Sequence, residues 1–434
     1  MSLPAKAEKR KQSNLEEVLE FCALLGRSMI LNGANVERVQ LATERICHSY
    51  GVQDLSLYIL STYISIGGRD AEGRYAQRQV NIPPAGINLN RLKRLNRLSF
   101  TVTSARPAPE RLKKMLTEAE KVSDYPDWAI LLAQMGGMVS LCFIFGGTWR
   151  EIPPVLIVTA LIHYLLLGFE KLAIDRIIAN SIVMFIAASC ALGLTMTGIG
   201  GAVPVIIITV SMLVIPGIPL VNSVRNLLCG NEQNGILQLF KVTIETLALG
   251  MGIYIAVALL VRNGDAEGVI VETLQNPWLL ILVSFTASVS FGVVFRIPPK
   301  DLVWAGLGGV ITRIVLILIG FTGANRLVLI TSGALAASLY AEFMATLRKD
   351  PSTYFVYPSI VPLIPGDLFY YSLIGIYLTD RAMFEWYGVN CLLTLLGMSI
   401  GFVLSFTIAH YIRKFRHKRF VLKSFVKEDE NESV

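Results

Sequence analysis

Residues 214–225 read VIPGIPLVNSVR, an apolar run interrupted by Pro216, Gly217 and Pro219 and then resumed through Asn222 and Arg225. The pattern returns at residues 363–375 as LIPGDLFYYSLIG, with Pro365, Gly366 and Asp367 at the interruption. Proline lacks a backbone donor and clashes with the preceding turn, and glycine accepts dihedrals that other residues avoid, so each Pro-Gly pair should stop a helix. In lipid, the freed backbone groups are costly unless protein or a water-lined cavity satisfies them. Two such breaks predict a buried polar site of the kind that discontinuous helices build in secondary transporters.

Around the breaks the composition is that of a polytopic membrane protein. Of 434 residues, 53% are hydrophobic and 16% charged, whereas an ordinary soluble domain is about a quarter charged. From Trp128 onward ten apolar runs approach the ~20 residues that span a bilayer. They cover 128–145, 155–169, 177–197, 203–228 (with the first break), 241–261, 278–295, 302–319, 327–347, 354–378 (with the second break) and 391–412. The first five correspond to the second five. Trp128 matches Trp278, Ile152-Pro153-Pro154 matches Ile297-Pro298-Pro299, Ala187-Ala188-Ser189 matches Ala336-Ala337-Ser338, and Pro216-Gly217 matches Pro365-Gly366. A repeat unit with an odd number of spans enters the membrane from opposite sides, so the expected architecture is a 5+5 inverted repeat of all-α character.

Residues 1–127 read as a small cytoplasmic α+β domain, followed by five-helix repeats at 128–262 and 278–412 and a basic/acidic cytoplasmic tail at 413–434. Residues 1–12 are expected to be disordered, and Ser13 with Glu16 has the form of a capping box opening a helix over 14–32. A second helix is expected over 36–50, a strand in LSLYILSTYISI from Leu55 with a turn beginning at Gly67 and Gly68, and a strand over 75–82. Leu89, Leu92, Leu95 and Leu98 mark a helix face; SFTVTS from Ser99 reads as a strand and 110–122 as a final helix.

The net charge of +7 is concentrated near the chain ends, which fits cytoplasmic ends better than nucleic-acid binding. With the N-terminus inside, the inner loops and span ends carry Lys171, Arg176, Arg225, Lys241, Arg296, Lys300, Arg348 and Lys349. The outer ones carry Arg150, Arg262, Arg326 and Arg381 together with the acidic Asp265, Glu267 and Glu272. Both termini are thus predicted to be cytoplasmic, in the plasma or inner membrane. The first spanning run follows a long polar region, so no cleavable signal is expected. The six cysteines form no CxxC pair, and no disulfide, metal or cofactor is predicted.

No GxxxxGK[ST] loop is present, so transport must draw on an ion or substrate gradient. GIGG at Gly198 reads as an external turn, and His163 as a hydrogen-bonded core residue. Ionisable residues within spans are functional candidates by default. Glu342, Glu245 and Arg313 are therefore candidates for proton coupling, although Lys241 and Glu245 could form an i,i+4 ion pair and Glu342 could pair with Arg313. Asp367 either caps free amides or binds an ammonium group. Arg225, with Asn222, either receives a carboxylate or serves as a membrane anchor.

GANVERVQLATERIC from Gly33, NIPPAGINLNRLKRLNRL from Asn81, IPGIPLVNSVRNLLCGN from Ile215 and PSIVPLIPG from Pro358 resemble the threonine/serine exporter family. The resemblance covers nearly the whole chain, and the Pro-Gly-hydrophobic-Pro…Asn…Arg pattern is its most specific part. It implies export of small hydroxy amino acids driven by the proton motive force. The chain departs from the pattern at Asn226, where members commonly have an acidic residue, and at Asp367, where glycine is commoner. The expected partners are an amino acid, protons and the bilayer, and the sequence is compatible with an oligomer. A sensor whose cytoplasmic domain binds a ligand is the competing class; a membrane hydrolase is disfavoured because the spans show no Ser/His or metal-ligand spacing, so the chain is not read as an enzyme.

Overall fold

A computed structural model describes residues 3–83, 86–122, 124–172, 174–260, 276–348 and 350–432. The acidic segment with Asp265, Glu267 and Glu272 lies outside the described residues, as do Pro84, Arg262 and Lys349.

The N-terminal part comprises α1 (Leu3–Leu31), α2 (Val36–Ser49), β1 (Gln53–Ile59), β2 (Tyr63–Arg69), β3 (Tyr75–Asn81), α3 (Leu89–Ala105) and α4 (Pro109–Glu120). The strands form one antiparallel sheet in the order β1-β2-β3. The helically spaced Leu19, Cys22, Leu25 and Met29 of α1 are buried with Ile64 and Ile66 of β2 in one core. Four local expectations are corrected. First, α1 starts at Leu3, so residues 3–12 are helical and Ser13 sits inside the helix rather than capping it. Second, LSLYILSTYISI is a hairpin, not one strand; the chain reverses where the Leu60 N–H donates to the Tyr63 carbonyl at 2.7 Å. Third, Gly67 and Gly68 lie within β2. A Cβ on Gly67 would fall 2.3 Å from the Tyr75 hydroxyl, and one on Gly68 would fall 2.4 Å from Val52. These glycines admit close neighbours instead of turning the chain. Fourth, SFTVTS continues α3, because Ser99 and Val102 extend the buried face begun by Leu89, Leu92 and Leu95. Packing on that face overrides the β propensity of Thr and Val. The helix is capped by Asn88, whose Oδ1 accepts from the Arg91 N–H.

The helical part runs α5 (Asp127–Ile144), α6 (Ile152–Lys171), α7 (Arg176–Met196), α8 (Val203–Ser211), α9 (Gly217–Leu228) and α10 (Glu232–Leu260). A second set follows: α11 (Pro277–Val294), α12 (Leu302–Gly320), α13 (Arg326–Arg348), α14 (Thr353–Ile360), α15 (Gly366–Tyr377) and α16 (Arg381–Glu432). Each helix in the second set starts 149 or 150 residues after its counterpart. The correspondence extends to backbone detail. Gly146 (φ 82°) matches Arg296 (φ 62°), and Gly230 (φ 77°) matches Thr379 (φ 55°). It also extends to side chains. His163 of α6 bonds Gln134 of α5 at 2.8 Å, and 150 residues later Arg313 of α12 bonds Ser284 of α11 at 2.9 Å. The Ile-Pro-Pro match does not survive as a structural equivalence. Pro153 lies in the first turn of α6, whereas Pro298 precedes the 3-10 turn Pro299–Asp301 that leads into α12.

Among the described residues, eight helices are long and apolar enough to cross a membrane: α5, α6, α7, α10, α11, α12, α13 and the first part of α16. The pair α14 and α15, bent by 55° at the second break, brings this to nine. The pair α8 and α9, expected as a tenth span, falls short of this measure. α8 has nine residues, and α9 carries Asn222, Ser223, Arg225 and Asn226.

Candidate functional site

Both breaks adopt the same backbone turn. Pro216 has φ −77° and ψ 60°, and Pro365 has φ −80° and ψ 59°. The Gly217 N–H donates to the Ile215 carbonyl and the Gly366 N–H to the Ile364 carbonyl, each at 2.8 Å. Each proline is therefore the centre of an inverse γ-turn, and α9 and α15 begin directly behind it. The breaks also pack together. A Cβ on Gly217 would lie 2.8 Å from Ile364 Cγ2, and one on Gly366 would lie 1.8 Å from Met212 Cε. The starts of two half-helices thus meet inside the bundle.

The N-terminal part covers one end of this bundle. The Leu89 N–H donates to the Phe295 carbonyl at 2.9 Å, and the Tyr125 hydroxyl to the Ile297 carbonyl at 2.7 Å. Asn234 of α10 donates to the Ile59 carbonyl and accepts from the Ser61 N–H. The strongest tie is ionic. Lys93 Nζ of α3 lies 3.0 Å from Asp301 and 2.6 Å from Asp350, with both carboxylates 2% exposed. Tyr354 donates to Asp301 at 2.8 Å, and Arg97 reaches Asp350 at 3.1 Å.

Between α2 and α3 on one side and the ends of α9, α13 and α14 on the other lies a cavity of about 840 Å³. This falls within the ~300–1,000 Å³ usual for small-ligand sites. Arg38, Arg225 and Glu342 line it. A separate pocket of about 30 Å³ shares Arg225 and Glu342 with it and reaches Asn222 and Tyr357. The Tyr357 hydroxyl donates to the Gly33 carbonyl at 3.1 Å and accepts from Asn222 Nδ2 at 3.2 Å, joining the α1–α2 turn to both halves of the bundle. A second cavity of about 390 Å³ also touches this bridge and reaches Pro216, Pro219, Lys241 and Glu245.

The candidate residues are distributed around these spaces rather than gathered in one. Pro216, Gly217, Pro365 and Gly366 form the paired breaks, while Asn222, Arg225 and Glu342 share the small pocket. Glu245 is buried beside Lys241, their charged atoms 3.9 Å apart. Asp367 directly follows the second break, where the Arg326 charge acts on it; Arg326 in turn donates to Thr394 at 3.0 Å. Arg313 donates from Nε to Ser284. Glu342 is not remote from bases as its span suggests, because the fold sets it against Arg38, whose ionisation responds to its charge. Burial lowers the pKa of Arg38 from the ordinary guanidinium range, with Glu342 opposing that shift. Sequence reasoning missed Arg38, Lys93, Asp301 and Tyr357. On α2 and α3 a basic residue looks like part of a solvated face, and no spacing rule links it to a residue some 300 positions away.

Residues 20–260 match the family described as putative threonine/serine exporter, and residues 280–408 match a second family described as threonine/serine exporter. No curated protein and no solved structure shows significant similarity to the chain.

Proposed function

Because the chain belongs to the threonine/serine exporter family, we propose that it is a secondary active transporter that moves threonine and serine out of the cell in exchange for protons. The observation that carries this reading is the pair of matching Pro-Gly breaks, packed on one another, with Pro216 of the first lining a cavity. Helix starts repeating at constant offset support two related units; an odd number of spans in each would orient them oppositely, and rocking about that centre would alternate access between the two sides. Glu342 is the proposed proton carrier, with Glu245 as the alternative, and Arg313 stabilises the surrounding helices. The substrate passes the breaks at Pro216, Gly217, Pro219, Pro365, Gly366 and Asp367.

In proteoliposomes the protein should exchange labelled threonine and serine. Gly217→Val, which forces a branched side chain against Ile364, should cut that exchange at least about tenfold, the equivalent of ~1.4 kcal/mol, while membrane yield stays at the parent level. Parent-like exchange by Gly217→Val would remove the breaks from the path.

We place the N-terminal part, and therefore residues 1–127 as a unit, on the cytoplasmic side. The bundle end that it covers carries Arg225, Arg296 and Arg348, which the charge bias assigns to the inside. Cys229, an exposed thiol at that end, should react with an impermeant maleimide only after permeabilisation. A cysteine at the exposed Thr322 should react in intact cells. The opposite pattern would invert the topology.

A further inference from the structure

The cavity at the seam is lined by charged groups from both parts. Asp350 is held by Lys93 and Arg97, and Arg348 sits by Asp301 and over the Trp304 ring. Arg45 lies on Phe100 and bonds Ser99. Arg38, Arg225 and Glu342 line the same cavity. Arg38 donates from Nη2 to Ser352 at 3.2 Å, but its buried Nε has no hydrogen-bond partner among the described residues. Arg225 approaches Glu37 only to 3.8 Å, and that carboxylate is 41% exposed. Glu342 lies in the same cavity, close enough for its charge to act on Arg38. Thr353, which lines both this cavity and the small pocket and is 5% exposed, has a buried Oγ1 with no partner among the described residues.

Two guanidinium groups, a carboxylate and an orphaned hydroxyl around one space match the groups of a small hydroxy amino acid. We propose that this cavity is the inner acceptance site for zwitterionic substrate, with Arg38 and Arg225 taking the carboxylate, Glu342 the ammonium group and Thr353 the side-chain hydroxyl. This rests on the exporter reading and deepens it: the N-terminal part supplies a substrate ligand instead of merely covering the bundle. Guanidinium is the preferred partner because its planar fork can hold both carboxylate oxygens. A buried hydroxyl left unpaired costs free energy that a substrate hydroxyl recovers and a methyl group does not. Glu342 can hold a proton or the ammonium group but not both at once, which is the competition that proton-for-substrate exchange requires.

The test uses the full-length protein in proteoliposomes with labelled L-threonine as the probe. The competitors are L-threoninamide, N-acetyl-L-threonine and L-2-aminobutyrate, which lack the carboxylate, the ammonium group and the hydroxyl respectively. Arg38→Gln should raise the KM for threonine about tenfold with little change in kcat, and should narrow the preference for threonine over threoninamide alone. Thr353→Val should narrow the preference over 2-aminobutyrate alone, and Arg38→Lys should recover part of the lost affinity. Arg97→Gln, which breaks a seam ion pair without entering the proposed ligand set, should leave every preference unchanged. A second readout does not depend on transport by the variants. In the background Cys229→Ser, a cysteine at the exposed Thr346 on the cavity wall should be shielded from alkylation by threonine and not by threoninamide. If the parent transports threonine but Arg38→Gln keeps its KM and preferences, or lowers all substrates equally, the acceptance site is wrong and the exporter reading stands. If the parent moves neither threonine nor serine, both fall.

Discussion

Lys93→Met is expected to destabilise the protein by about 3–5 kcal/mol, the usual cost of removing one partner from a buried charge cluster. The Lys93 side chain is 9% exposed and lies between two aspartate side chains that are each 2% exposed. Methionine preserves the length of the side chain but leaves Asp301 and Asp350 facing each other across an apolar group. Arg97, itself 59% exposed, cannot replace it in the interior. Thermal unfolding of detergent-solubilised protein should show the loss, together with faster proteolysis of the N-terminal part. Lys93→Met combined with Asp350→Asn should be more stable than Lys93→Met alone, because one of the two stranded charges is gone. A loss below about 1 kcal/mol, the range of exposed ion pairs, would mean that water reaches the cluster and that the two parts separate readily.

Glu342→Gln is expected to abolish accumulation of threonine driven by a pH gradient while exchange between saturating pools continues. The amide keeps the size of the side chain and its place opposite Arg38, but it cannot exchange a proton. Transport then runs only down the substrate gradient. The loss of the ammonium contact should also raise the KM for threonine by about tenfold. The measurement is the ratio of internal to external threonine at steady state under an imposed pH gradient, which should fall to one. A variant that accumulates threonine as the parent does would move the proton site to Glu245 or Asp367.

The same reasoning sets how much of the molecule was legible in its sequence. The apolar runs, the two Pro-Gly breaks and the repeat offset are local properties of the chain, since bilayer thickness fixes run length and proline and glycine act on their own turn. They determined the membrane class, the broken helices and the family resemblance. In the N-terminal part, α2 and β3 were legible for the same reason, because their periodicity agrees with the surface they bury. Where local preference and packing disagree, packing decided. Ser99 to Ser104 remain helical because Val102 completes a buried stripe, and Gly67 and Gly68 remain in a strand because Tyr75 and Val52 occupy the space of their missing side chains.

The candidate site divides along the same line. Pro216 and Pro365 were found from sequence because a break is a property of one segment. Only the tertiary structure set them side by side, joined Tyr357 to Gly33 across more than 300 residues, and placed Arg38 opposite Glu342. Sequence alone determined that this chain lies in a membrane with two interrupted helices, because those features follow from the solvent and the backbone. Which charges share a cavity was decided by the docking of the N-terminal part on the bundle, because electrostatic interaction depends on distance in space, which separation along the chain does not determine.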